Sequence, residues 1–437
     1  MSPAASLAQP AGLKNKSAWH WITVALTCGL AATSIGICSN SVGVFFLPAS
    51  AELGVGKGTF ALHATLTNLF IGFFALLVVP FLRRYNFRAL VSAGILLAGG
   101  STLLMAAADQ MWMFYLLGAL RGIGCAFFSG VIITYVITNW FEQRHGFAVG
   151  ITLSFSGLAG ALFSPMFSYI IGLWGWRNGF LVMGVLIIAL ALPGVLLVLE
   201  PSPARRGLLP YGAKPAAEQR PQPAAVVQPA APHKVRLPAG ALAGLAVFGL
   251  LAGASTAITQ FFPAYAESVH STAMVGALMV SAAMIGNITS KLVIGLLSDK
   301  IGAIYASMIM ICAAAAALTA LCLIQPGWIE LLTYAIALVF GSVYAVGAVS
   351  TSLVTRQVAG AADYAAVFPY VALFGNLGYA IFMSVVGFVY DLVGSYQVSM
   401  LAAVGFAGIM LLLLWGLRAW LARTPAGRLA ATVRAGR

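Results

Sequence analysis

Apolar residues in this chain come in long unbroken runs, not at the 2- or 3.6-residue spacing of elements that keep one face in water. Runs of about twenty residues or more, enough to cross a hydrocarbon layer about 30 Å thick, recur over nearly the whole length. The pattern predicts twelve membrane helices, at 19–50, 60–82, 88–108, 110–136, 146–173, 178–199, 238–267, 271–298, 302–324, 327–355, 363–389 and 397–421. The first run starts at Trp19 and continues well past the length of a leader's apolar core, so it reads as the first membrane helix.

Residues 201–237, PSPARRGLLPYGAKPAAEQRPQPAAVVQPAAPHKVRL, interrupt this pattern with Pro, Ala and charge and are expected to form a flexible linker. The chain then divides into a tail (1–18), a six-helix bundle (19–200), the linker (201–237), a second six-helix bundle (238–422) and a basic tail (423–437). The halves resemble each other at a fixed offset. YLLGALRGIG at Tyr115 matches YAIALVFGSV at Tyr334, which sets Gly122 opposite Gly341, 219 residues on. LRRYNFRAL (Leu82–Leu90) faces SDKIGAIYA (Ser298–Ala306) at an offset of 216, and WGWRNGF around Trp176 faces VGSYQVS around Ser395 at 219. The expected fold is an all-α membrane protein of twelve transmembrane helices in two pseudo-symmetric six-helix bundles.

Composition agrees: 61% of residues are hydrophobic and 8% charged, which excludes a water-soluble globular chain. The net charge of +13 would suit a nucleic-acid binder, but its placement argues for topology instead. With the N-terminus in the cytoplasm, nineteen of the twenty-three Lys and Arg fall on inward segments, and outward loops keep only Lys57 and Arg177. That bias predicts both termini inside, with the basic segments facing anionic lipid and no nucleic-acid partner. Cys28, Cys38, Cys125, Cys312 and Cys322 all lie in apolar spans without CxxC spacing and read as packing residues. Neither a metal nor any other cofactor is expected.

The second half carries Gly295-Leu296-Leu297-Ser298-Asp299-Lys300-Ile301-Gly302, which resembles the loop signature that the major facilitator superfamily places between the second and third helices of each bundle. The first-half copy, VPFLRRYNFR, has Arg83 where that family has an acid. Gating roles for Gly295, Asp299, Lys300 and Arg84 are what this resemblance implies. WFEQRHGFAVGITLSFSG (Trp140–Gly157) is similar to the pattern at the fifth helix of the monocarboxylate transporter and oxalate/formate exchanger branch, matching at Phe141, Arg144, Ala148 and Gly150. Trp19-x-Trp21 is a second resemblance, with Lys16 where the branch has an acid.

Charge inside a bilayer costs at least about 2.5–3.5 kcal/mol for Lys or Arg at a helix centre, so each instance asks for a reason. Lys291 stands eight residues before Asp299, about 12 Å along the helix. It reads either as a fixed positive charge in a central cavity or as a lysine snorkelling to the surface. The resemblance favours the first, since monocarboxylate transporters place a carboxylate-binding arginine four residues before a glycine, the spacing of Lys291 and Gly295. The acid that those families carry one turn earlier, implicated in proton coupling, is Asn287 here; it shares a helix face with Lys291 but accepts no proton. Two mechanisms follow. Either Lys291 loses its proton in the empty carrier and regains it with the anion, which gives proton symport, or it stays charged and reorientation needs a bound counter-anion. Arg121, in LRGIGCAFFSG, fits loosely an arginine pattern that the superfamily links to coupling or interhelical bonding. Asn40 stands where monocarboxylate transporters have a lysine, and the eleventh helix lacks the lysine of oxalate exchangers, so a single-carboxylate substrate is favoured. Asn68, Tyr135, Tyr265, Tyr370, Asn376 and Tyr379 are further polar candidates, each weighed against a satisfied bond between helices. His63 reads as an interfacial polar residue.

The resulting expectation is a carrier of a small organic anion, working as a monomer with protons or a counter-anion, in a bacterial inner membrane. Export of a drug-like or metabolite substrate on the same fold is the alternative; a cationic drug would favour acids in the cavity, and the spans show none. No GxxxxGK[ST], HExxH or paired intramembrane Asp is present, which disfavours primary pumping and membrane-enzyme chemistry.

Overall fold

The computed structural model describes residues 17–213, 237–324 and 330–423. Lys16, the linker segment 214–236 and the basic tail from 424 lie outside the described residues. We number the membrane crossings α1 (17–53), α2 (Lys57–Arg84), α3 (Phe87–Met105), α4 (Met111–Trp140), α5 (145–174), α6 (176–197), α7 (Ala239–Ser268), α8 (Ala273–Ile301), α9 (Ala303–Cys322), α10 (Glu330–Gly360), α11 (361–393) and α12 (Gln397–Arg423).

Residues 145–197 are helical throughout except at Gly175, where φ is 81° and ψ 164°. A straight helix of that length would run about 80 Å, far beyond a bilayer. Gly175 takes a backbone that an L-residue adopts only with strain, and there the chain turns back. Eleven apolar helical stretches therefore carry twelve crossings. The left-handed positions also repeat between halves: Gly54 and His270 are 216 residues apart, Arg144 and Gly360 216, and Gly175 and Gly394 219. The offsets read from sequence are thus offsets of turns as well, the geometry of a duplicated bundle.

The spans differ from simple rods in one respect. The first run, expected as one helix, is an α-helix to Ala31, a π-helix over Ala32–Asn40, a 3₁₀ turn over Val42–Phe45 and an α-helix again from Phe46. Its ATSIGICSN segment is rich in small hydroxyl residues that bond backward, Thr33 Oγ1 to the Gly29 carbonyl and Ser34 Oγ to that of Leu30, which loosens the regular ladder. The same interruption occurs in α4 at 127–129, in α7 at Ala257–Phe261 and in α10 at Val346–Ser350. Helices α1, α4, α7 and α10 hold equivalent places in the repeat, and all four break at mid-depth.

Hydrogen bonds between the bundles gather on the side away from the linker. Lys57 and Gly58 at the start of α2 donate their backbone N–H groups to the Asp391 carboxylate of α11, both at 2.9 Å. Thr65 Oγ1 donates to the Ala380 carbonyl and sits 2.6 Å from Ser384 Oγ, Gly43 N–H donates to Gln260 Oε1, and Ser281 Oγ donates to the Ala161 carbonyl. The far side is closed by these contacts.

Two expectations change. Residues 201–213, expected to be flexible, dock on the first bundle: Tyr211 N–H donates to the Trp140 carbonyl, His20 Nε2 donates to that of Leu209, and Arg88 pairs with Glu200 at 2.8 Å just before the segment. A buried Leu208 and the ring packing of Tyr211 on His20 and Phe141 supply the apolar contact that composition did not suggest. His63, expected at an interface, is fully buried among Phe46, Phe60 and Phe114, with Nδ1 donating to the Phe60 carbonyl.

Candidate functional site

A cavity of about 490 Å³ lies between the bundles at the level of the helix breaks. Each break turns a small polar residue toward it: Ser34, Ser39 and Asn40 from α1, Ser129 from α4, Thr256 from α7, Tyr344 and Thr351 from α10. The unbroken α2, α5, α8 and α11 complete the wall with Asn68, Ser156, Asn287, Lys291, Asn376 and Tyr379. Among the described lining residues Lys291 is the only charged one, and no acid is present.

Lys291 is half-buried, with its stem on α8 and no hydrogen bond or ion pair among the described residues. Asn287, one turn earlier, is 2% exposed. Its Nδ2 donates weakly to Met284 Sδ at 3.8 Å, and its Oδ1 has no partner. The α5–α8 crossing behind this pair is tight: a Cβ on Gly160 would stand 2.9 Å from Met284 Cγ and 3.0 Å from Asn40 Cβ. Asn40 Nδ2 donates to the Ser156 carbonyl, tying α1 to α5, so its amide is engaged by protein on the donor side. Tyr344, which the sequence did not single out, is held with its hydroxyl 2.6 Å from Thr259 Oγ1.

Of the residues proposed from sequence, Lys291, Asn287, Asn40, Asn68, Asn376 and Tyr379 therefore share one cavity, whereas Arg121 and Tyr135 do not line it. Arg121 is fully buried inside the first bundle, donating to Thr67 Oγ1 from Nε at 3.3 Å and Nη2 at 3.1 Å and touching Met105 Sδ from Nη1. Thr67 is itself held by the His63 and Gly118 carbonyls, so the guanidinium completes an α2–α4 network away from the cavity. Tyr265 spends its hydroxyl on the Leu321 carbonyl, and Tyr370 is exposed on the outer face of α11.

The loop residues sit at the linker side. Asp299 and Lys300 are exposed, with neither hydrogen bond nor ion pair among the described residues, and Arg84 is exposed beside the Tyr85 ring. A Cβ at Gly295 would meet nothing within 4 Å, so no close helix approach requires glycine there in this conformation.

The profile that describes the Major Facilitator Superfamily matches residues 28–368, which takes in all but the last helices of the second bundle. The chain belongs to the Major Facilitator Superfamily. Transport across a membrane is accordingly its general function, and the paired bundles around a mid-depth cavity are the superfamily fold. Curated relatives include the human monocarboxylate transporter 11, 28% identical over 218 residues that make up 47% of this chain and 44% of that protein. Rat monocarboxylate transporter 3 is 26% identical over 187 residues, 42% of this chain and 37% of its own. The uncharacterised MFS-type transporter YcxA of Bacillus subtilis (strain 168) is 24% identical over 155 residues, 35% of this chain and 38% of that protein. The matched stretches thus span less than half the length of these relatives. Among solved structures, the nucleoside transporter NupG superposes with a TM-score of 0.69 at 14% identity, covering 90% of this chain and 99% of that one. A bacterial homologue of the human lysosomal transporter Spinster, inward-facing and unoccupied, gives 0.66 at 16%, covering 92% and 98%. At such identities these two speak for the fold alone.

Proposed function

We propose that this superfamily member is a secondary carrier of a small organic monocarboxylate, with Lys291 as the anion site. One observation carries the reading: the cavity wall holds a single cation, without an acid among its described residues to neutralise it. An unpaired ammonium at membrane depth is costly to keep, and a carboxylate ligand offsets that cost. A lone cation suits one carboxylate; a dicarboxylate would leave its second charge unmatched. Asn40, Asn68, Asn376 and Tyr379 orient the remainder of the anion through neutral hydrogen bonds. The partial likeness to monocarboxylate transporters supports the same class.

Alternating access follows from the far-side closure by Asp391, Thr65 and Gln260, with the linker-side loop around Gly295, Asp299, Lys300 and Arg84 engaging when the bundles rock the other way. The Lys/Arg asymmetry puts the linker side in the cytoplasm of a bacterial inner membrane. The cavity draws all its lining from one chain, which supports a monomer as the working unit.

The test is uptake of labelled lactate, pyruvate and formate into proteoliposomes by the parent and by Lys291→Gln. Saturable flux lost in the variant is expected; flux that survives would mean that Lys291 merely snorkels. Dependence on an imposed pH gradient identifies proton symport, and dependence on preloaded anion identifies exchange.

A further inference from the structure

Asn287 is buried to all but 2% of its surface, lines the cavity one turn from Lys291, and leaves Oδ1 without a donor. A buried acceptor with no partner is a deficit that a bound molecule can fill. Its orientation is held: Nδ2 faces Met284 Sδ at 3.8 Å, and Met284 is wedged at the α5–α8 crossing against Gly160. Turning the amide over would set its carbonyl oxygen against the thioether sulfur, acceptor against acceptor. The group presented to the ligand beside the Lys291 ammonium is therefore an oxygen.

We propose that Asn287 is a specificity-determining residue that selects anions bearing a hydroxyl on the carbon next to the carboxylate and disfavours the corresponding 2-oxo acids. This rests on the reading of Lys291 as the carboxylate site. Residues one turn apart have Cβ atoms about 5–6 Å from each other. A carboxylate oxygen on Lys291 Nζ and the adjacent hydroxyl donating to Asn287 Oδ1 fit that interval with two ordinary hydrogen bonds. A 2-oxo group brings a lone pair to the same oxygen, and an unsubstituted acid leaves the oxygen unpaired. Discrimination of this kind grows from polar groups left unsatisfied by the wrong ligand.

The test uses butyrate, 2-hydroxybutyrate and 2-oxobutyrate, one carbon skeleton throughout, as competitors and labelled substrates in proteoliposomes. The parent is expected to favour 2-hydroxybutyrate over 2-oxobutyrate by about tenfold in kcat/KM. In Asn287→Leu, of like volume and without the oxygen, the ratio is expected to fall to about twofold or less, with butyrate still carried. Asn287→Ser, whose hydroxyl both donates and accepts, is expected to lose the preference as well, and it guards against a fold defect in the leucine variant. Thermal-shift protection of the detergent-solubilised parent by each acid reads the same order without flux. Equal handling of the two acids by the parent, or a preference that persists in both variants, overturns this inference while sensitivity to Lys291→Gln leaves the carboxylate site standing. Neither flux nor protection with any of the three acids overturns the carboxylate site and this inference together.

Discussion

The Asp391 carboxylate is the latch whose removal is easiest to quantify. It sits in the last turn of α11 and accepts the backbone N–H groups of Lys57 and Gly58, both at 2.9 Å, from the N-terminus of α2 in the opposite bundle. An anion at this end of a helix is favoured by the unpaired N–H groups and by the macrodipole. Gly56 accommodates the carboxylate: a Cβ there would fall 2.5 Å from Asp391 Oδ2. The Lys57 ammonium lies 3.7 Å from the centre of the Tyr390 ring and adds a second, weaker tie. Charge-assisted bonds of this kind are worth about 1.5–3 kcal/mol when sheltered, and the exposure of Asp391 reduces the pair to about 1–2 kcal/mol. Because the contact exists only while the far side is closed, Asp391→Ala shifts the equilibrium toward far-side opening by that amount, about 5- to 30-fold. The assay is maleimide labelling of Ser384→Cys in a background with the native cysteines replaced. Ser384 is 6% exposed and bonded to Thr65, so a thiol there reacts only when the bundles part. Labelling is expected to quicken about 5- to 30-fold in Asp391→Ala, and less in Asp391→Asn, which keeps an acceptor. An unchanged rate would refute the latch.

Three other outcomes follow from the same geometry. Asn287→Asp places a carboxylate one turn from Lys291, so an anion enters only once that carboxylate is protonated; uptake should become dependent on low pH on the side of entry, read from initial rates across a pH series. Arg121→Gln should leave KM for the carried anion within about threefold, because the guanidinium lies outside the cavity lining, yet lower the melting temperature as the Thr67 network loses about 1–3 kcal/mol. Gly253→Ala brings a Cβ to 1.8 Å from the Gly375 carbonyl oxygen and should cost the α7–α11 packing at least about 1–3 kcal/mol, whereas Gly295→Ala, with open space around it, should be close to neutral in the same thermal scan.

What could be read from the chain alone was set by short-range physics. Long apolar runs must become helices in lipid, since no other open element satisfies its own backbone. Twelve crossings, two related halves and the 216- and 219-residue offsets were therefore legible, and the turns at Gly175 and Gly394 or Gly54 and His270 follow the same offsets. Lys291 was legible for a like reason: a cation amid apolar residues stands out whatever surrounds it. The tertiary structure decided the rest. Lys291 and Arg121 look alike in sequence, but only helix packing puts one in a cavity wall and the other in a network within a bundle. The breaks in α1, α4, α7 and α10 and the cavity role of Tyr344 carry no signal of their own, since hydrophobic runs continue through them. Asp391 looked like a solvated loop acid, and it became a latch because α2 of the other bundle ends its first turn against it. Sequence periodicity reports what each segment does with water and lipid; which polar groups meet across the bundles depends on contacts hundreds of residues apart, which no local pattern encodes.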